Sequence, residues 1–322
     1  MRTRTFGGLG EVSELTLGGG GLGQVWGETT RDEAVATARA AIDAGITLLD
    51  VAPMYGRGEA EAVIGAAFGG RLPDGVRIGT KVMLGNPEGP ARERIEQSLS
   101  RSLGTMGLGR VDLLWLHSNL VPDDYVFPRF PEAQARIGTP WSRYVDEVVP
   151  TFEALVADGR IGAWGITGVA LPRTVRDAIA VDPAPAGVQC IANLLDSTGA
   201  IYVHDEPLSP RDTIAAAAAR GCGVLGIRAV QAGALTDVID RDLPSDDGDR
   251  LDYERAAPFR ALAAQVGESA AALAHRYALS MPGIDSVVLG VKNRAELAEC
   301  VAAAERGPLD PELIARIDAC IT

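Results

Sequence analysis

One repeated beat constrains this chain more than any other feature: a short β-rich apolar run, a break, then a helical stretch. Residues 45–65, GITLLDVAPMYGRGEAEAVIG, show it most clearly. ITLLDV reads as a buried parallel strand, Pro53 and Gly56 break it, and a small-residue helix follows over 58–67. The same beat places strands at 14–19, 46–50, 77–82, 110–116, 161–166, 187–192, 223–228 and 286–290. Helices are predicted over 31–44, 58–67, 90–104, 143–158, 211–220, 253–265, 269–280, 293–304 and 310–320. Thr30 caps the first of these, with Glu33 at capping-box spacing. Eight parallel-type strands alternating with helices in 322 residues fit an α/β fold of the (β/α)8 TIM-barrel class. A β-hairpin over 3–14, turning at Gly7-Gly8, precedes the barrel. No interior linker interrupts it, so residues 1–322 read as one domain with long loops after strands 4 and 7.

Composition narrows the partners. A formal net charge of −13 argues against nucleic acid or an anionic membrane surface. The four cysteines, Cys190, Cys222, Cys300 and Cys320, follow no CxxC or Cys/His spacing and read as reduced thiols of a cytoplasmic protein. MRTRTFGGLG lacks the apolar core of a signal peptide, and no run reaches membrane-spanning length. His117, His204 and His275 stand apart, so no metal site is expected. The reading is a monomer or small homo-oligomer acting on a small molecule.

Gly18–Gly23 satisfies G-x-G-x-x-G after a predicted strand, which raises a dinucleotide-binding Rossmann fingerprint. The fingerprint needs its last glycine at the opening of a helix, and here Gln24–Thr29 intervenes. The glycines are instead expected to form a flexible barrel-mouth loop where a ligand approaches the backbone. No GK[ST] follows, which excludes a P-loop.

The chemistry is expected at the carboxyl ends of the strands, where parallel α/β folds place it. Asp50 ends the second strand with Tyr55 just beyond it; Lys81 ends the third and His117 the fourth. Taken singly, Asp50 and Lys81 could be a barrel ion pair, Tyr55 a packing residue and His117 a satisfied core histidine. Together on one rim they form a proton-transfer set. An ammonium beside the phenol lowers its pKa, a carboxylate holds the ammonium, and a neutral imidazole orients a substrate oxygen.

These residues, in this order and local context, resemble the aldo-keto reductases, NAD(P)-dependent oxidoreductases on a (β/α)8 barrel with an N-terminal hairpin. GITLLDVAPMYGRGEAEAVIG, IGTK and VDLLWLH carry the resemblance, which extends over essentially the whole chain. It implies Asp50, Tyr55, Lys81 and His117 as a catalytic tetrad with Tyr55 as general acid/base. It also implies that Thr167 and Gln189 hold the nicotinamide amide, although Gly168 replaces the usual asparagine. Arg228 is expected to approach the pyrophosphate or to be an ion-paired arginine, and Ala232, Gly233 and Leu235 belong to the loop wrapped around it. Lys292 and Asn293 fit contacts to a 2′-phosphate, Glu296 opposes them, and Glu299 fits the adenine contact. The balance leans to NADP, with NAD possible.

Trp26 and Met54 are expected to wall the substrate pocket. Tyr125, Phe127, Phe130 and Trp141 crowd the fourth loop, either to stack on a ring or to pack the loop down. LGGGGLG, GIRAVQAGAL and that long loop resemble the bacterial sugar and pyridoxal dehydrogenases of the family. The favoured reaction interconverts an aldehyde or ketone with an alcohol, or a lactol with a lactone. The alternative is a catalytically marginal nicotinamide-binding barrel acting as a regulatory or sensor subunit.

Overall fold

The computed structural model describes residues 1–239 and 241–321. The chain opens on an antiparallel hairpin, β1 (Thr3–Phe6) and β2 (Gly10–Ser13), turned by Gly7–Leu9. The parallel strands are β3 (Leu15–Gly18), β4 (Leu48–Asp50), β5 (Arg77–Val82) and β6 (Val111–Leu116). A short side pair follows, β7 (Asn119–Val121) with β8 (Gly138–Pro140). Then come β9 (Ile161–Thr167), β10 (Gly187–Ile191), β11 (Gly223–Ile227) and β12 (Ser286–Leu289). β3-β4-β5-β6-β9-β10-β11-β12 close on themselves as a parallel barrel, so the (β/α)8 architecture holds.

Register fixes which side chains meet inside. Trp115 pairs with Lys81 on one side and Gly165 on the other. A Cβ at 165 would lie 2.4 Å from the Trp115 ring, so glycine there makes room for the indole. Phe6 from the hairpin meets Trp115 edge-on at 6.5 Å, and with Val12, Leu48, Leu113 and Leu225 forms the apolar floor of the barrel. The hairpin therefore plugs the amino-terminal end, leaving the carboxyl end open for loops.

Local chemistry accounts for the helices and for the departures. The Thr30 hydroxyl accepts from Glu33 N and starts the helix Arg31–Asp43. Glu33 does not reach back to Thr30; its carboxylate takes the Arg294 guanidinium and backbone, joining this helix to Arg294–Glu305. A helix over Pro172–Ala180, which the sequence reading did not place, fills the β9–β10 connection. The predicted helix over 253–265 is two, Gly248–Arg255 and Ala257–Val266, because Pro258 cannot continue a helix begun upstream. The expected helix over 143–158 begins at Trp141 and passes through a π-turn at Tyr144–Val148 before ending at Ala157.

The glycine run also differs from expectation. Gly19–Leu22 is a short buried helix. A Cβ at Gly20 would meet Trp26 Nε1 at 2.4 Å, one at Gly21 would meet Val291 O at 1.9 Å, and one at Gly23 would meet Tyr55 C at 2.7 Å. Close packing against the protein's own loops requires these glycines.

Candidate active site

The barrel brings the four predicted catalytic side chains to one arc of the mouth. β4, β5 and β6 are neighbours, and interior-facing Asp50 and Lys81 sit at the last turns of the first two. His117 follows β6, its N–H donating to Val82 O at 2.8 Å so that pairing extends through it. Tyr55 sits in the turn after β4, where Gly56 and Arg57 take positive φ and redirect the chain into Glu59–Phe68.

Lys81 Nζ lies 2.6 Å from Asp50 Oδ2, with both side chains at most 4% exposed. The ammonium also donates to Val51 O at 3.1 Å and stands 5.3 Å from the centre of the Tyr55 ring. Tyr55 and His117 meet edge to face at 5.9 Å. Asp50 Oδ2 takes a second donor, Gln189 Nε2 at 3.0 Å, while Oδ1 has no partner among the described residues.

Burial dominates the electrostatics. His117 is pushed down to about 3, first by loss of solvent and then by the Lys81 charge, so its imidazole is neutral at ordinary pH. Burial also lowers Lys81, and Asp50 opposes that shift. Against the expectation that Lys81 depresses the phenol, burial and the Asp50 charge hold Tyr55 above its ordinary value. Loss of solvent around the ring is the larger cause, and the Asp50 carboxylate adds to it. The phenol is a held proton donor in this state.

The neighbouring arc carries the residues expected at a nicotinamide. Thr167 ends β9, Gln189 lies mid-strand in β10 as its register partner, and both are buried. Gly168 leaves no room for the family's asparagine, since its Cβ would stand 2.8 Å from Gln189 O. Arg228 is an ion-paired arginine: it donates to Asp249 Oδ1 at 2.9 Å and to Gln231 Oε1 at 2.8 Å, and stands 5.9 Å from the Trp26 ring. In the loop beyond, Ala232 takes positive φ and its carbonyl accepts from Arg241 at 2.7 Å, Gly233 also has positive φ, and the Leu235 side chain is in the core. Leu235 thus has only its backbone to offer a ligand.

After β12, Asn293 caps Arg294–Glu305 by accepting from Glu296 N. Glu296 returns its carboxylate to Lys292 N at 2.8 Å and Asn293 Nδ2 at 3.2 Å, with Lys292 Nζ 3.5 Å away. That carboxylate folds back over the residues just ahead of the helix, whose first N–H, Arg294 N, is taken by Glu33. Glu299 is exposed and accepts from the Ser269 hydroxyl.

The substrate candidates separate. Trp26 lies between Gly20 and Gly290 on the β12–β3 side, and Met54 is 47% exposed beside Tyr55. Phe127 is packed away with Val121, Leu171 and Val203, so it holds the loop down. Trp141 opens a helix and packs on Tyr144 at 5.7 Å; Phe130 is exposed. Tyr125 donates to Asp205 Oδ1 at 3.2 Å, tying the fourth loop to the one after β10. Sequence reasoning missed Glu61, a buried carboxylate that accepts from Thr80 at 2.6 Å behind Lys81, because its helix reads as apolar. Among the described residues no cluster of metal ligands appears, and no helix is long and apolar enough to cross a membrane.

A closed parallel barrel with a buried acid–lysine pair, a phenol and an imidazole gathered at its carboxyl mouth defines a (β/α)8 protein. Residues 14–322 match the model of the Aldo/keto reductase family, and the chain belongs to that family of oxidoreductases. It is 26% identical to the L-galactose dehydrogenase of Arabidopsis thaliana over 100% of this chain and 94% of the relative. It is also 26% identical to a probable voltage-gated potassium channel subunit beta of Oryza sativa, over 90% of this chain and 87% of the relative. The holo form of an aldo-keto reductase from Bacillus halodurans superposes with a TM-score of 0.74 at 20% identity, covering 100% of this chain and 97% of that one.

Proposed function

We propose that this protein is an NAD(P)-dependent oxidoreductase interconverting an aldehyde or ketone, or a lactol, with the corresponding alcohol or lactone. The observation that carries the reading is the buried Asp50–Lys81 pair set beside Tyr55 and His117. Thr167 and Gln189 fit a carboxamide at the mouth: one has a hydroxyl there, the other an amide with one N–H and its oxygen uncommitted among the described residues. A nicotinamide bound there supplies or accepts the hydride. Tyr55 gives its proton to the substrate oxygen in reduction, or takes one in oxidation. Lys81, held by Asp50, stabilises the phenolate left behind, and neutral His117 donates to the same oxygen. Lys292 and Asn293 favour a 2′-phosphate and Glu296 opposes one, so NADP is the first cofactor to test and NAD the second.

Titration of the tryptophan fluorescence with NADH and NADPH, followed by a carbonyl and alcohol screen, tests this reading. Tyr55→Phe removes only the phenolic hydroxyl and keeps the ring; turnover should fall at least ~10³-fold while cofactor affinity stays within about twofold. Retained turnover would dismiss Tyr55 as the proton carrier. The relative named as a channel subunit favours a second reading, a barrel that binds nicotinamide as a sensor. Cofactor binding without turnover of any carbonyl would favour that one.

A further inference from the structure

Glu61 lies in the helix Glu59–Phe68, which starts where the Tyr55 turn ends, and its carboxylate is buried. Oε1 accepts from the Thr80 hydroxyl at 2.6 Å, and both partners are out of reach of solvent. Thr80 immediately precedes Lys81 in β5, and alternation along the strand turns its side chain away from the barrel interior, toward the helices. One hydrogen bond thus joins the element that follows the phenol to the strand that carries the ammonium.

The Tyr55 turn depends on that anchor. Gly56, Arg57 and Gly58 all take positive φ, Tyr55 N donates to Ala52 O at 3.1 Å, and Arg57 N reaches Met54 O only at 3.4 Å. The turn packs on Gly23 on one side, and for the rest it stands where the helix stands. Glu59 pairs with Arg31 on the outer surface, and Gly65 lets the helix rest on the Thr105 backbone. Neither contact touches β5. Glu61 does, and at a cost: burial raises its carboxyl above the usual range, opposed by the Thr80 and Ser102 hydroxyls and the Lys81 charge. A leucine would fill the same space without that desolvation, but it would give the helix no fixed direction against the strand.

We propose that Glu61 is a positioning residue: through Thr80 it fixes the helix that follows the Tyr55 turn against the strand that carries Lys81, and so holds the phenol at its distance from the ammonium. It rests on the reading of Tyr55 as the proton carrier of an oxidoreductase. The charged groups facing the phenol are Asp50 from β4 and Lys81 from β5, while His117 after β6 is neutral.

Three variants separate position from stability. Glu61→Leu removes the acceptor, and the double variant with Thr80→Val removes both partners, so no buried hydroxyl is stranded and the fold should recover its stability. Glu61→Gln keeps the acceptor. Oxidation of an alcohol needs Tyr55 deprotonated, so a less well placed ammonium raises the pH at which kcat climbs. Glu61→Leu and the double variant should move that rise up by about one pH unit, which lowers kcat about tenfold below it, with KM within about twofold. Glu61→Gln should match the wild type. A double variant that recovers the wild-type pH profile together with its stability would leave Glu61 a stability residue only. A loss in Glu61→Gln equal to that in Glu61→Leu would make the charge, not the bond, the cause. Either result overturns the proposal. Fluorine NMR of the full chain labelled with fluorotyrosine decides without turnover. The Tyr55 resonance, assigned by its loss in Tyr55→Phe, should move or split in the double variant and stay in place in Glu61→Gln; an unmoved resonance in the double variant overturns the proposal. Failure of the oxidoreductase reading appears separately, as no NAD(P)-linked turnover of any carbonyl or alcohol by the wild type.

Discussion

Lys81 and Lys292 are the two lysines in a chain that otherwise uses arginine 28 times. Arginine serves surface pairing and forked hydrogen bonds, but its guanidinium does not give up its proton and does not fit a slot sized for an ammonium. Lys81 is 1% exposed against Asp50, and a compact ammonium whose charge the site can modulate is what that slot holds. His117 beside it makes a measurable claim. The unfolded chain protonates His117 near its ordinary 6.5, whereas the folded chain resists until about 3. The unfolded state therefore binds more protons between those values, so this contribution is full above pH 6.5 and is lost as pH falls toward 3. His204 and His275 are lowered in the same direction and add to the slope. His117→Gln should flatten, without abolishing, the fall of the urea midpoint over that window. Midpoint curves that stay parallel would mean that His117 titrates normally in the fold.

At the scale of elements, the helix Arg294–Glu305 folds a carboxylate of its own first turn back over the residues that precede it, and that bears on what else its start can bind. Glu296 takes the Lys292 N–H and the Asn293 amide, while Lys292 Nζ stands near. Glu296→Gln keeps an acceptor for Lys292 N but removes the charge. The ratio of NADPH to NADH affinity should rise roughly tenfold, about the 1.4 kcal/mol expected of a nearby like charge. An unchanged ratio would mean that Glu296 does not face the ribose. Elements also show where the sequence was readable. All eight barrel strands are short apolar runs that stand out from their flanks, and the four catalytic candidates lie at or just past strand ends, so both could be placed from residues alone. Pro172–Ala180 begins on a proline, which serves at the first helical position as readily as it ends a helix, so the residue alone does not announce the element. Gly248–Arg255 carries almost no apolar face; the Asp247 cap and buried Asp249 and Asp252 hold it, which no periodicity reveals.

Across the whole molecule the two ends of the barrel do different work. The amino-terminal end is closed by Phe6, fully buried against Trp115, and the carboxyl end carries the polar mouth. The two are linked through one residue, because Trp115 is the register partner of Lys81. Phe6→Ala removes an aromatic ring from a floor that cannot collapse to fill it, since Gly187 and Gly223 sit against that ring without side chains of their own. The loss should be about 3–5 kcal/mol of stability, read as a lowered denaturation midpoint. If floor and mouth are independent, the folded variant keeps wild-type kcat and cofactor affinity well below its melting point. If Trp115 shifts into the space instead, Lys81 moves with it, and kcat should fall before any global unfolding is detected by circular dichroism. The plug then positions the ammonium as well as stabilising the barrel. The two outcomes separate cleanly when turnover and unfolding of Phe6→Ala are followed along the same temperature ramp.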